Sequence, residues 1–158
     1  MPKYRFIFIF SFLTINLVFS QNSNINRNEI QNLFKKSILN KNKSKINIGE
    51  NSWKICIENN EDKIYLYETK FEKYSDCCKY INWTFYKKNK FIKNISNLCS
   101  EPPLSIVTTV DDWYEIVYKI EHNNLILIIM SKNTTEKLIV DKIEKLKNGK
   151  HRIKMQRY

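Results

Sequence analysis

The sequence predicts an all-β protein, an antiparallel meander of about eight short strands that closes into a small barrel, with a short helix before it. Apolar and polar side chains alternate through most of the chain after Ser52, which is the period of a half-buried strand. Turn residues separate the alternating runs, and glycine occurs only at positions 49 and 149. Closing such a sheet removes its two exposed edges. Because glycine is so scarce, an incomplete barrel or a sandwich is the alternative.

A short amphipathic helix precedes the strands. Apolar side chains recur at helical spacing from Asn28 to Leu39, and Asn28 is placed to cap the helix, with Gln31 as its capping-box partner three residues later. We interpret this helix as a lid or brace on the following domain, in preference to a helix on a membrane surface. Its apolar positions are Ile30, Leu33, Phe34 and Ile38.

Eight segments have the composition and alternation of strands. Polar pairs such as Lys88-Asn89 and His122-Asn123 predict tight turns between some of them. Asn148-Gly149 is the strongest hairpin signal and predicts a type I′ turn. Residues 136–147 also fit a helical period, but the turn and the strand that follow them favour a strand. The predicted strands are 53–58, Lys63–Thr69, Tyr80–Lys87, Phe91–Ile95, Trp113–Ile120, Leu125–Met130, Leu138–Ile143 and His151–Tyr158.

The first twenty residues have the layout of a cleavable secretory signal peptide. Lys3 and Arg5 precede an apolar run from Phe6 to Phe19, and cleavage is expected after Ser20. The run is short for a membrane span, which takes about 20 residues, so we expect no stable membrane anchor. The sequence therefore predicts a secreted or periplasmic protein with one folded domain. The predicted organisation is a signal peptide over 1–20, a disordered tail, helix and linker over 21–49, and the barrel domain over 50–158.

The exported part of the chain is basic. Removing the first 20 of 158 residues takes away Lys3 and Arg5 and leaves 25 of the 27 basic side chains against 16 acidic ones, a net charge of +9. The lysines are spread evenly, and export separates the protein from nucleic acid, so we expect no nucleic-acid partner. We interpret the charge as a solvated surface. Weak attraction for anionic envelope polymers or lipid headgroups is the alternative.

Four cysteines, all beyond the signal peptide, predict two disulfides, because an even count is typical of exported proteins. A bridge between the adjacent Cys77 and Cys78 would be strained. Two pairings stay open, and each joins one of the adjacent cysteines to Cys56 and the other to Cys99. A bridge that closes a loop of about 20 residues stabilises a fold by roughly 3 kcal/mol.

No pattern in the sequence predicts catalysis, a metal site or a cofactor. The chain has no CxxC, and its only histidines, His122 and His151, are far from the cysteines, so we expect no zinc site. It also has no Ser-His-Asp arrangement with local support and no Gly-rich phosphate loop. The adjacent carboxylates of Asp111 and Asp112 point to opposite faces if they lie on a strand. We therefore expect a protein that is not an enzyme and needs no cofactor.

Single aromatic and cysteine residues follow a recognisable order between residues 50 and 158. The order is Trp53 in Asn51-Ser52-Trp53-Lys54, then Cys78, Trp83-Thr84-Phe85, Phe91, Cys99 and Trp113. This order resembles the lipocalin-like domains of small secreted bacterial proteins. The family has a glycine two residues before the first tryptophan, where this chain has Asn51, so that motif is half present. By the same resemblance Cys78 pairs with Cys99, which leaves Cys56 and Cys77 to pair with each other.

The resemblance also implies a function and a set of site residues. Trp53 would lie at the closed end of the barrel, covered by a cation near the last strand, Arg157 or Arg152. Lipocalin relatives hold a small hydrophobic ligand inside the barrel, and aromatic side chains with polar groups suit such a pocket. The expected ligand-binding residues are Trp83, Phe85, Tyr114 and Tyr118.

The alternative is a binding protein without a pocket. A small eight-stranded barrel can be filled by its own side chains. The protein would then use its basic surface or its helix against an envelope component, such as an anionic polymer. In either case we expect a monomer.

Overall fold

Nine strands and one α-helix make up the described part of the chain, as seen in a computed structural model. The structure describes residues 25–38, 48, 51–57, 62–68, 77–99, 101–102, 104–105 and 109–158. In chain order the elements are α1 (Arg27–Lys36), β1 (Trp53–Cys56), β2 (Lys63–Glu68), β3 (Lys79–Lys87), β4 (Lys90–Asn97), β5 (Leu104–Ser105), a 3₁₀ turn (Val110–Asp112), β6 (Trp113–Glu121), β7 (Asn124–Met130), β8 (Thr135–Lys145) and β9 (His151–Arg157).

Eight of the strands close into an antiparallel barrel. They are hydrogen-bonded in the order β3-β1-β2-β9-β8-β7-β6-β4, and β4 pairs with β3 to complete the ring. The two-residue β5 pairs only with the end of β4. The predicted all-β fold with a small eight-stranded barrel is therefore confirmed. Residues 136–147, for which a helix was the alternative, lie mostly in β8.

The strand order differs from a simple meander at one point. In an up-and-down barrel each strand pairs with the next in sequence, and closure joins the last strand to the first. Here β1 lies between β2 and β3, and the last strand, β9, pairs with β2. Alternation determines which face of a strand is buried, but it does not determine which strand lies beside it. The meander part of the prediction is therefore corrected to this order.

Two hairpin turns show where the predicted turn chemistry was right and where it was wrong. His122 and Asn123 both have positive φ, 49° and 65°, as a type I′ turn requires, and they join β6 to β7. Asn148 does not have a positive φ, whereas Gly149 has φ 78°. The Gly149 N–H donates to the Leu146 carbonyl at 2.9 Å. This turn is therefore a type I turn followed by a left-handed glycine, and the predicted type I′ turn is wrong here.

The helix begins earlier than the sequence predicts. Asn26 is the N-cap, with extended backbone, and its side chain accepts a hydrogen bond from the Asn28 N–H at 2.9 Å. The predicted cap at Asn28 with Gln31 as partner is therefore wrong, because Asn28 already lies in the first turn and Gln31 is buried. The helix ends at Lys36, and the Ser37 hydroxyl donates to the Phe34 carbonyl at 2.7 Å.

The apolar face of α1 covers one end of the barrel. Ile30 and Phe34 are completely buried. The Phe34 ring makes an edge contact with Trp53, at a centroid distance of 5.3 Å, and stacks on Phe85 at 4.3 Å. The helix is thus part of the barrel core, and its burial against β1 and β3 supplies the hydrophobic stabilisation that a helix of this length lacks by itself.

The barrel interior beneath the helix is filled by side chains. Register pairs place Leu66 opposite Ile153 and Leu127 opposite Leu138, and all four are almost completely buried. Each such side chain contributes about 1.5–3 kcal/mol through burial. The buried strand residues of this core are Trp53, Leu66, Trp83, Phe85, Phe91, Ile116, Tyr118, Leu125, Leu127, Ile129, Leu138, Val140, Ile153 and Met155.

The predicted signal peptide over 1–20 lies outside the described residues, as do residues 21–24 of the tail and most of the linker after α1. In the described part of the chain, no helix has the length and apolar character needed to cross a membrane.

Candidate functional site

A cavity of about 370 Å³ lies at the end of the barrel away from α1. It forms because β1 and β2 separate along their length. The two strands are in register only from Trp53↔Glu68 to Lys54↔Tyr67, whereas β1 stays paired with β3 as far as Cys56. The lining residues are Ile55, Cys56, Ile57, Asp62, Lys63, Ile64, Tyr65, Tyr67, Ile81, Trp83, Lys93, Glu136, Leu138 and Arg157.

One part of the cavity wall is aliphatic. Ile55 and Ile81 are register partners on β1 and β3, and Ile64 of β2 and Leu138 of β8 follow on the same interior surface. Trp83 of β3 adds an indole that is 1% exposed. These side chains are on interior faces because they alternate with outward-facing residues on each strand. A wall of this kind binds an apolar group by removing it from water.

Three charged side chains lie together in the same cavity. The Lys93 ammonium is 3.6 Å from a Glu136 carboxylate oxygen, and the Arg157 Nε is 3.8 Å from the other oxygen of that carboxylate. The Lys93 side chain is 21% exposed and that of Glu136 is 34% exposed. Burial lowers the pKa of Lys93 from its usual value, and the nearby Glu136 carboxylate partly opposes this shift.

Aromatic rings surround the Lys93 ammonium on its other side. It lies 4.2 Å from the ring centroid of Tyr114 and 5.7 Å from that of Trp83. A cation over an aromatic face is attracted by the ring quadrupole, more strongly when it is desolvated. These contacts and Glu136 together favour the charged form of a mostly buried lysine.

Of the four predicted ligand-binding residues, only Trp83 lines the cavity. Phe85 packs beneath α1, against Phe34. Tyr114 stacks on Phe91 at 5.5 Å and reaches the site only through Lys93. Tyr118 is buried below the Arg27 guanidinium, which lies 5.6 Å from its ring. The other three predicted residues thus belong to the filled part of the barrel or support it from behind, and ligand binding by the set stays a prediction.

The expected stacking of Arg157 on Trp53 is corrected. Trp53 pairs in register with Glu68 at one end of β2, and it contacts Phe34 of the helix. Arg157 follows Gln156, which pairs with Lys63 at the other end of β2. The other candidate cation, Arg152, lies over the rings of Tyr65 and Tyr67.

Both disulfides have the pairing that the resemblance implied. Cys56 is bonded to Cys77, with a Cα–Cα distance of 6.0 Å, and Cys78 is bonded to Cys99, with a distance of 5.4 Å. Cys56 is also a lining residue of the cavity. The bridge therefore ties the end of β1 to the segment before β3 where β1 has separated from β2.

Lys93 and Glu136 were missed by the sequence analysis, and Arg157 was named only as a cation over Trp53; the alternation nevertheless contains a signal for Lys93. Phe91, Lys93 and Ile95 occupy alternate positions of β4, so Lys93 falls on a face of apolar side chains. A charged residue on such a face is unusual unless it has a partner. Among the described residues, no group of three or more His, Cys, Asp or Glu side chains is arranged to hold a metal ion.

Comparison with known proteins finds no matching family model, no matching curated protein and no matching solved structure.

Proposed function

We propose that this protein is an exported, monomeric, non-enzymatic binding protein that holds a small ligand with an apolar body in the cavity between β1 and β2. The observation that carries the proposal is the 370 Å³ cavity, in which aliphatic side chains lie beside a cluster of charged ones. Its size falls at the lower end of the range of about 300–1,000 Å³ for ligand pockets. The charged groups in it are suited to orienting a ligand.

Two further features support this proposal. Two disulfides are typical of an oxidising compartment, which agrees with export by the signal peptide proposed for residues 1–20. The lipocalin-like resemblance favours a ligand inside a barrel. In this chain α1 and the core fill one end, so the ligand would enter between β1 and β2 at the other.

The experiment is a titration with a neutral naphthylamine dye whose fluorescence rises in apolar surroundings. The wild-type protein should give saturable enhancement. Ile64→Trp places a large side chain in the cavity wall and should abolish the enhancement. Val117→Trp is the matched control, because Val117 is 43% exposed on the outer face of β6. Equal binding by the two variants, or no saturable binding by the wild-type protein, would contradict the proposal.

A second candidate function rests on tyrosine rings of β2 and β3 that lie beside cations of β9 and β1. Arg152 lies 5.3 Å from the Tyr65 ring and 5.8 Å from the Tyr67 ring, and Lys54 lies 4.4 Å from the Tyr80 ring. Half-buried rings with cations beside them suit an anionic envelope polysaccharide. Salt-sensitive retention on a sulfated glycan, lost in Arg152→Gln, would support this function; retention that Arg152→Gln leaves unchanged would contradict it.

A further inference from the structure

We infer that the ligand of the cavity is a monoanion, an apolar body with one acidic head group that lies against Lys93. This inference rests on the proposed function and adds the chemical class of the ligand. It is carried by three observations: the position of Lys93, the balance of charge around it, and a buried donor without a partner.

Placing the Lys93 ammonium in the interior is energetically unfavourable unless a group of opposite charge pairs with it. The side chain follows the buried Phe91 on the interior face of β4, where an aliphatic residue would continue the alternation; Ile95, the next residue on that face, is 41% exposed. Transfer of an ammonium group out of water is unfavourable unless the group is paired. Its nearest carboxylate oxygen, on Glu136, is 3.6 Å away, which is longer than the 2.7–2.9 Å of a close charge-assisted hydrogen bond.

The charged side chains that line the cavity have one positive charge in excess, and one of the cations, Arg157, is 70% exposed and so partly screened by solvent. Glu136 is shared between Lys93 and Arg157, so one carboxylate faces two cations. The remaining charged lining residues, Asp62 and Lys63, carry opposite charges. The lining residues thus include three cations and two carboxylates. A ligand with one negative charge would neutralise the excess, whereas a cationic ligand would add to it.

The donor without a partner belongs to Trp83. The indole Nε1 is buried and has no hydrogen-bond partner among the residues that the structure describes. An indole N–H can only donate, so only an acceptor satisfies it. Trp83 lies beside Lys93, at 5.7 Å from ammonium to ring centroid, and lines the cavity. The indole nitrogen itself has almost no accessible surface, so a carboxylate beside Lys93 accepts from it only after the surrounding side chains shift.

The test compares three probes with the same apolar body and different head groups: octanoate, octanol and octylamine. Binding is measured by isothermal titration calorimetry at neutral pH. A hydrogen bond to a charged group contributes about 1.5–3 kcal/mol, so octanoate should bind at least roughly tenfold more tightly than octanol. Octylamine should bind most weakly.

Two variants assign the preference to the charged cluster. Lys93→Met keeps the volume and removes the charge, so octanoate should bind no more tightly than octanol. Glu136→Gln removes the competing carboxylate and should strengthen octanoate binding, which no misfolded variant would do. Lys119→Met is the control, because Lys119 is an exposed lysine on β6 and should leave all three affinities unchanged.

The outcomes separate this inference from the function on which it rests. If octanol or octylamine binds as tightly as octanoate, the cavity binds ligands but the inferred head group is wrong. If none of the three probes binds, the proposed function fails and the inference fails with it. If Lys93→Met keeps the octanoate preference, the inferred role of Lys93 is wrong.

Discussion

The ring of Phe34 stacks on the ring of Phe85 at a centroid distance of 4.3 Å and an interplanar angle of 18°. This contact joins the N-terminal helix to the third strand of the barrel. The helix therefore closes one end of the barrel. The gap where β1 and β2 separate is then the route to the interior. The helix therefore contributes to the stability of the barrel and closes the end opposite the cavity.

Truncation of Phe34 tests this closure. Phe34→Ala should lower the free energy of unfolding by about 3–5 kcal/mol, because it removes a fully buried ring and leaves a void against Trp53 and Phe85. Urea denaturation measures the change. Lys36→Ala, on the exposed face of the same helix, should change stability by less than about 0.5 kcal/mol. Equal effects of the two substitutions would show that the helix does not pack on the barrel.

Removal of the Tyr118 hydroxyl should stabilise the protein. The hydroxyl is buried and has no hydrogen-bond partner within the described part of the chain. Tyr118→Phe removes its desolvation cost, which is about 1–3 kcal/mol for an unsatisfied group, and it keeps the ring below Arg27. A variant less stable than the wild-type protein in thermal denaturation at neutral pH would show that the hydroxyl has a partner.

The same substitution should change the response to alkaline pH. Burial raises the pKa of the Tyr118 phenol, and the Arg27 cation partly opposes the shift. Above the usual pKa of about 10, the unfolded chain releases this proton while the folded chain keeps it. The wild-type free energy of unfolding should therefore fall faster than that of Tyr118→Phe, by about 1.4 kcal/mol per pH unit. Parallel curves from pH 10 to 11.5 would contradict this assignment.

Loss of the Cys56–Cys77 bridge should weaken the fold and free one identifiable thiol. The bridge spans 21 residues, so Cys56→Ala should cost about 3 kcal/mol in urea denaturation. Alkylation followed by tandem mass spectrometry should place the free thiol at Cys77. A free thiol at Cys78 would mean that the other cross-pairing is correct.

The turn glycine offers a test of backbone strain alone. Gly149 has φ 78°, and an added Cβ would meet no heavy atom within 4 Å. Gly149→Ala should therefore cost about 1–2 kcal/mol through the left-handed conformation and nothing through crowding. Lys147→Ala in the same turn is the control. A cost below about 0.3 kcal/mol in urea denaturation would show that the hairpin shifts to another turn.

Much of the barrel could be predicted from the sequence, because a buried face imposes alternation on every strand. Trp113 to Ile120 and Leu125 to Met130 were predicted within a residue of their bounds as β6 and β7. The place of β1 between β2 and β3 was not predicted, since pairing between distant strands leaves no local pattern. The helix start was also missed, because both Asn26 and Asn28 are good N-cap residues.

The site was predicted less well than the fold, for a physical reason. Aromatic side chains such as Phe85 and Tyr118 suit a pocket and a core equally, and here they fill the core. The cavity depends on where two strands separate, which the sequence does not show. Lys93 is the exception. The sequence shows a charged residue among apolar residues on one face of a strand, and such a residue indicates a partner or a ligand.

The most direct test of the account is methyl NMR of the isoleucine side chains during titration with octanoate. Binding in the cavity should shift the methyl signals of Ile55, Ile64 and Ile81 along a saturable curve. The signals of Ile30, beneath the helix, and of Ile126, on the outer face of β7, should stay in place. Saturable shifts at Ile30 or Ile126 with none at the cavity residues, or no shifts at all, would contradict a ligand site between β1 and β2.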